Sequence, residues 1–424
     1  MNSKPKRSKI FYGWYLVAAS IGIILYTGGI AHFGFTAVFE SIANDFGWSY
    51  AQISLAASLR GFEMGLLSPL VGLFVDRWGP RRLIFFGSFI ICIGFLILSR
   101  VNSLGTYYLA FVVIAIGMST CTGVVLMTAV TNWFSRRAGL ATGLVASGFG
   151  LGGLLVPVIT KLIDAFQWRR AMLTVGLGVL PIVLPLSLMI RHKPEDYGYQ
   201  PDGDVAEVTK NADGTQRPAV SEEVSVSIKE VLKGKVFWQI AVSSACHAFV
   251  VGAVVTHMMP YLSSVDITRS VSGLVALVLP VASIGGRLSS GWLADKFGSR
   301  AVFGSSFIAM MAGLFMFGYA GSGTMWLLVP FIITFSLGWG ASVTSRITLL
   351  RNYFGRNNVG KVLGFNSGIM MLGNVTGAPL AGWVFDTWGS YQGAWLGFAA
   401  LTLAGAALVI TLPGGGASRV SGQP

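Results

Sequence analysis

A chain of 424 residues that is 53% hydrophobic and only 11% charged, with a mean hydropathy of +0.68, cannot cover a water-facing surface with charge. Soluble domains carry about 25% charged residues, so the solvent of this chain is largely lipid and a soluble globular class is excluded. The formal net charge of +13 would suit a polynucleotide if gathered into one patch, but most of the Lys and Arg fall in the tails and in alternate loops. The charge therefore reads as membrane orientation, and no nucleic-acid partner is expected.

The basic start "MNSKPKRSK" runs into a first apolar stretch, 12–35, too long for the apolar core of a cleavable signal peptide. Stretches of about 20 residues, the length that crosses a hydrocarbon core, follow at 53–75, 83–99, 106–130, 138–160 and 170–190. A polar segment, 191–235, then interrupts them. Its "HKPEDYGYQPDGDVAEVTKNADGTQRPAVSEE" has almost no large apolar residue and reads as a disordered cytoplasmic linker. The "VSIKEVLKGKVFW" that closes it reads as an amphipathic helix on the inner surface. Apolar stretches resume at 236–262, 270–293, 301–321, 325–349, 360–384 and 391–412.

Lipid offers no partner to backbone polar groups, so each stretch is expected to be a helix. The predicted fold is an all-α membrane protein of twelve transmembrane helices in two pseudo-symmetric six-helix bundles. These are 1–190 and 236–424, joined by the linker, with both termini cytoplasmic. A multi-pass protein of the inner (cytoplasmic) membrane and a monomer are expected. Cys92, Cys121 and Cys246 fall within the spans, which implies packing and no disulfide framework.

The halves repeat each other. "GLFVDRWGPRRL" (72–83) returns as "GWLADKFGSRAV" (291–302), and "NWF" (132–134) returns as "NYF" (352–354). "VPVITKLID", ending at Asp164, has a weaker echo in "APLAGWVFD", ending at Asp386. The first of these resembles the loop motif of the major facilitator superfamily: Gly, three residues, Asp, a basic residue, any residue, Gly, then basic residues. Its second copy matches more loosely. The resemblance covers the chain apart from linker and tails, and implies a secondary transporter whose halves rock around a central site. Within the motif, Asp76 and Asp295 end their spans where a carboxylate can hold basic residues or a helix N-terminus. Together with Arg77, Arg81, Lys296 and Arg300 they are candidates for gating contacts that form in one state and break in the other. The alternative is that the basic residues only set topology.

"NWFSRRAGLATGLVASGFGLGG" resembles the corresponding segment of the monocarboxylate transporters and their bacterial relatives, oxalate:formate antiporters included, and "FYGWYLV" is similar to the same group. Gly139, Gly143, Gly148, Gly150, Gly152 and Gly153 give this fifth span a thin face for close packing or bending.

An ionisable residue at mid-span costs at least about 2.5–3.5 kcal/mol and is a functional candidate by default. Four stand out: Arg60, Glu63, Arg287 and Arg346. Arg287, in "PVASIGGRLSSGWLAD", lies roughly 12 Å into the membrane from Asp295 at 1.5 Å per residue. Its guanidinium can take a carboxylate in two parallel bonds, and the interiors of the second-half spans contain no acidic residue to occupy it. The placement resembles the eighth-span arginine that binds substrate carboxylate in the monocarboxylate and oxalate groups. The chain also departs from them. Ser283 stands where many monocarboxylate transporters place a proton-coupling aspartate. Lys361 lies too near the start of the eleventh span to match the antiporter lysine, and that span offers Asn366 and Asn374 instead.

Arg60 and Glu63 are three apart on one helix face. They form either a self-compensating clasp or a coupling site, in which Glu63 carries the proton and Arg60 meets the anion before Arg287 does. Arg346, about 9 Å from its span end, reads as an arginine that snorkels to the surface, the alternative being a gate at the inner mouth. His32 and His247 read as packed histidines. His257, in "THMMPYL", resembles a segment recurring in bacterial relatives and is a candidate substrate contact. No metal-ligand spacing, P-loop or nucleophile motif is found, so no metal, no cofactor and no enzymatic activity are expected.

The resemblance implies a transporter of small, monocarboxylate-like organic anions, proton-coupled and working by alternating access. Anion exchange of the oxalate/formate type and export of other small amphiphiles remain open. A non-transporting receptor is the alternative from another class, against which stands a linker too short and polar to be an output domain.

Overall fold

A computed structural model describes residues 11–67, 71, 74–75, 77–134, 138–197, 228–354 and 359–413. Among these residues every regular element is helical. The first rod comprises α1 (Tyr12–Gly28), a π-turn (Gly29–Phe33) and α2 (Gly34–Phe46). It ends at Gly47, whose φ of 64° suits a residue without a Cβ. The rod is thus 35 residues long and reaches beyond the expected limit at 35.

There follow α3 (Tyr50–Leu66), α4 (Pro80–Ser99), α5 (Leu104–Cys121), α6 (Val124–Trp133), α7 (Ala138–Leu151) and, after a 3-10 turn at Gly152–Leu155, α8 (Val156–Met189). A capping box of Ser103 and Thr106 starts α5. The second set begins with the short α9 (Ile228–Lys233), whose Val231 is buried. It continues through α10 (Lys235–Ser264), α11 (Arg269–Phe297), α12 (Ser299–Gly318), α13 (Leu328–Phe354), α14 (Val359–Trp388) and α15 (Gln392–Ile410).

Ten stretches among the described residues are long and apolar enough to cross a membrane. One of them, Leu140–Met189, has 50 residues. As a single straight helix it would be about 75 Å long, over twice a hydrocarbon core of about 30 Å. It is broken at Gln167, whose φ is 64° and ψ 157°.

The repeat is physical as well as textual. Gly79 and Gly298 hold the same place in the two motif copies, with φ of 77° and 84°. Each donates its N–H at 2.9 Å to the carbonyl four residues before it, Val75 and Ala294. The "NWF" and "NYF" copies also match. Trp133 Nε1 donates to the Arg191 carbonyl at 3.3 Å, and Tyr353 Oη to the Pro413 carbonyl at 2.6 Å, so each aromatic ties down the chain leaving its half.

Apart from α3, which packs chiefly on α14, helices α1 to α8 pack mainly among themselves, as do α10 to α15. The two sets meet where α3 lies along α14, where α2 touches α10, and where α11 leans on α7, α8 and the turn between them. Most of the polar contacts across this seam sit at the end of the bundle far from the N-terminus. The Asp386 carboxylate accepts from the backbone N–H of Tyr50 with one oxygen and of Ala51 with the other, both at 2.9 Å. It thereby caps α3 from the opposite set. Gly382, one turn earlier, lets the backbones meet: a Cβ there would lie 2.7 Å from the Ala51 nitrogen. Its repeat partner Asp164 pairs with Arg269, the first residue of α11, at 3.3 Å, and Arg269 also donates to the Ala37 carbonyl at 3.2 Å. Two related carboxylates thus each fasten the start of a helix in the other set. Ser58 adds a bond to the Val375 carbonyl, and Thr36 accepts from the Met259 N–H at 3.2 Å.

Replacing a helix cap by alanine costs about 1 kcal/mol. Asp386→Ala is therefore expected to lower the thermal midpoint of the purified protein, whereas Asp386→Asn, which keeps one acceptor, should lose less. Equal midpoints for wild type and Asp386→Ala would show that the cap contributes nothing.

Candidate functional site

The site is built on α11 and α13. Glycine at 286 and 340 removes the side chains that would hold these helices apart. A Cβ on Gly286 would lie 2.9 Å from the Leu337 Cα, and one on Gly340 would lie 2.8 Å from the Arg287 nitrogen. At this separation Thr344 Oγ1 reaches the Arg287 carbonyl, at 3.5 Å. Arg346, two residues further on, is therefore held level with Arg287 on the neighbouring helix.

On its other side α11 is seated against the glycines of the first set. A Cβ on Gly150 would meet the Pro280 carbonyl at 2.7 Å, and one on Gly153 the Leu277 carbonyl at 2.9 Å. Gly148 rests in the same way on the Ile21 backbone of α1, while Gly143 has no atom within 4 Å of such a Cβ. The glycine face of the fifth span is thus mostly a packing surface, and it brings the Ala146 carbonyl to 2.7 Å from Arg287 Nη1.

That neutral carbonyl is the polar partner of Arg287, whose Nε is buried without one among the described residues. Arg346 is in the same condition. It does not snorkel: its guanidinium turns into the bundle against the Met370 thioether, and its buried Nε has no partner among the described residues. Nearness to the membrane edge along the helix, the basis for expecting a surface arginine, says nothing about which face the side chain takes. On α14, Met370 and Asn366 lie one turn apart on the same face. Asn366, fully buried, gives its Nδ2 to Ser244 of α10 at 3.4 Å and leaves its Oδ1 without a partner among the described residues. One turn on from Ser244 stands His247, buried, with Nε2 lacking a partner among the described residues and with both Arg346 and Arg287 within electrostatic reach. Four helices of the second set therefore converge on two guanidiniums, an imidazole and an amide, with no carboxylate among these described groups.

Of the expected substrate residues, Arg287 and Asn366 stand in or beside this cluster. His257 does not. It lies ten residues beyond His247, about 15 Å along α10, in the far-end seam. Its Nε2 is 2.8 Å from both Ser54 Oγ and the Ala378 carbonyl, and its Nδ1 is 2.8 Å from Tyr391 Oη. A carbonyl only accepts, so the proton sits on Nε2 and Tyr391 donates to Nδ1. The ring thus joins α3 to α14 and the start of α15, with each nitrogen already engaged.

Arg60 and Glu63 lie on α3, which runs along α14, but their side chains lie outside the described residues, as do Asp76 and the side chain of Asp295. Arg77 and Arg81 are exposed. Lys296 lies 5.4 Å from the ring centres of Trp292 and Phe297, and Arg300 donates to the Ile410 carbonyl at the end of α15. Sequence reasoning missed two partners. Arg346 and His247 join the site through neighbouring helices; the local sign for Arg346 was a charge within a span, read as snorkelling, and His247 carried none. Glu40 also escaped notice, because the first rod is longer than expected; it faces Ser263 and Arg269 across the seam.

A sequence profile of the Major Facilitator Superfamily matches residues 19–350 and 263–424. Monocarboxylate transporter 12 of Mus musculus is 26% identical over 418 residues, covering 92% of this chain and 83% of that one. Monocarboxylate transporter 11 of Homo sapiens is 26% identical over 432 residues, covering 95% and 83%. Among solved structures, a bacterial homologue of the human lysosomal transporter Spinster, in an inward-facing and unoccupied conformation, superposes with a TM-score of 0.69 at 17% identity, over 96% of this chain and 95% of that one. A point mutant of the nucleoside transporter NupG gives 0.70 at 14% identity, over 94% and 99%.

Crowding a close-packed backbone costs about 1–3 kcal/mol. Gly340→Ala is expected to lower the thermal midpoint clearly, because the new methyl meets the Ser283 carbonyl and Arg287 backbone, whereas Gly143→Ala should change it little. Thermal unfolding of both variants in the same detergent checks the pair; a Gly340→Ala midpoint no lower than that of Gly143→Ala would contradict the packing argument.

Proposed function

Because this chain belongs to the Major Facilitator Superfamily, we propose that it carries a small organic anion across the membrane by alternating access, coupled to protons. It is a transporter and not an enzyme, and a multi-pass membrane protein. The observation that carries the choice of an anion is Arg287: its guanidinium, with a buried Nε, reaches across to the first set of helices, and its partner among the described residues is a neutral carbonyl, not a counter-ion. The name of the relatives, monocarboxylate transporter, supports a carboxylate as that anion.

Counting Tyr50–Leu66 as a span and Leu140–Met189 as two gives twelve. We place the halves at 1–190 and 236–424 around the 191–235 linker, the termini in the cytoplasm as the basic loops require, and a monomer in the inner (cytoplasmic) membrane. In that orientation the seam of Asp386, Asp164 and His257 closes the outer mouth. The anion then reaches Arg287 from the cytoplasmic side. Opening outward breaks the caps on α3 and α11, while Asp76, Asp295 and the basic residues beside them close the inner mouth. Arg60 is the anion's first contact on entry from outside. Glu63 holds the proton in place of the eighth-span aspartate that Ser283 replaces.

Two measurements test this. In proteoliposomes, Arg287→Ala should abolish uptake of the identified acid, and Arg287→Lys should weaken binding about tenfold or more, because an ammonium keeps charge but loses the two-point fork. Normal transport by well-folded Arg287→Ala would sink the assignment. Glu63→Gln should keep exchange yet lose accumulation driven by an inward pH gradient. If instead Glu63→Gln is unstable and neutralising Arg60 as well restores full pH-driven accumulation, the two residues are a clasp and the proton is carried elsewhere.

A further inference from the structure

The second-half cluster holds two buried cations, and a monocarboxylate answers only one of them. Arg287 gives Nη1 to the Ala146 carbonyl, Arg346 meets the Met370 thioether, and the Nε of each is buried without a partner among the described residues. The span interiors of α10 to α15 contain no Asp or Glu that rotation of a side chain could supply. A buried charge with no counter-charge is among the most unfavourable arrangements a protein can hold. Among the described groups, a bound ligand with a single carboxylate relieves one guanidinium and leaves the other in that condition.

Two observations bring the arginines into one neighbourhood. Thr344 bonds the Arg287 carbonyl two residues before Arg346, and His247, on a third helix, is within electrostatic reach of both. Asn366 Oδ1 and His247 Nε2, without partners among the described residues, add polar atoms to the cluster.

We infer that the site takes a dianion: a short dicarboxylate, held by Arg287 at one carboxylate and by Arg346 at the other. Arg346 is then the residue that decides between one and two carboxylates. The inference rests on the anion-transport reading but goes further, since that reading requires Arg287 alone.

Binding to the full-length protein is measured at neutral pH with acetate, propionate, butyrate and valerate against oxalate, malonate, succinate and glutarate. At least one dicarboxylate should bind about tenfold or more tightly than the monocarboxylate of equal carbon number, as expected for a buried charge pair gained or lost. Arg346→Gln should erase that preference, weakening the dicarboxylate about tenfold or more beyond any loss for the monocarboxylate of equal carbon number; Arg346→Lys should retain part of it. A wild-type protein that binds monocarboxylates as tightly as their dicarboxylate partners overturns the inference while leaving anion transport standing, and this arm needs no variant to fold. Equal losses for both ligand classes in a well-folded Arg346→Gln also overturn it, reducing Arg346 to a general source of positive potential. Should no carboxylate of either class bind, the anion-transport reading itself fails and this inference with it.

Discussion

The close approach of α11 to its neighbours is the constraint on which the rest depends. With no hydrophobic force drawing helices together in lipid, close packing and interhelical hydrogen bonds must do so, and small residues make both possible. Gly286 and Gly340 bring α11 and α13 together on one side, and Gly150 and Gly153 seat α11 on the other set. Arg287 can therefore reach a backbone carbonyl of the opposite set while its own backbone is held by Thr344. A bulkier seam would break both contacts.

Charge follows from that packing. In water an unpaired guanidinium is unremarkable; inside a bundle it raises the local potential for any anion that enters. The described part of the second set supplies cations and neutral polar groups to its centre, and keeps its carboxylates, such as Asp386, at the end of the bundle. The separation is functional in character, because an interior carboxylate would have neutralised the site before any ligand arrived.

The far-end seam uses carboxylates for a different purpose. Asp386 and Asp164 stand at equivalent places in the repeat, and each fastens a helix start in the opposite set, one through bare backbone N–H groups and the other through Arg269. Such contacts are directional and few, which suits a closure that must be made and broken in each cycle. His257 belongs with them. Its two nitrogens join three helices, and this accounts for a buried histidine without assigning it to the ligand.

Much of this was legible in the sequence. The lipid environment, the helical spans, the repeat and the isolated Arg287 all follow from local rules: span length, the need to satisfy every backbone polar group, and the cost of a charge at mid-span. The glycines at 79 and 298 were recognisable as a repeated pair before their shared positive φ was seen. What the tertiary structure alone decided is which faces meet. It turned Arg346 inward to Met370 when its distance from the span end suggested the surface, placed His257 in the seam when its neighbours suggested the ligand, and extended the first rod to include Glu40. The reason is one of range: membership of a span is set by the twenty or so residues around a position, whereas a side chain's partner is set by helices more than a hundred residues away, whose rotation no local pattern records.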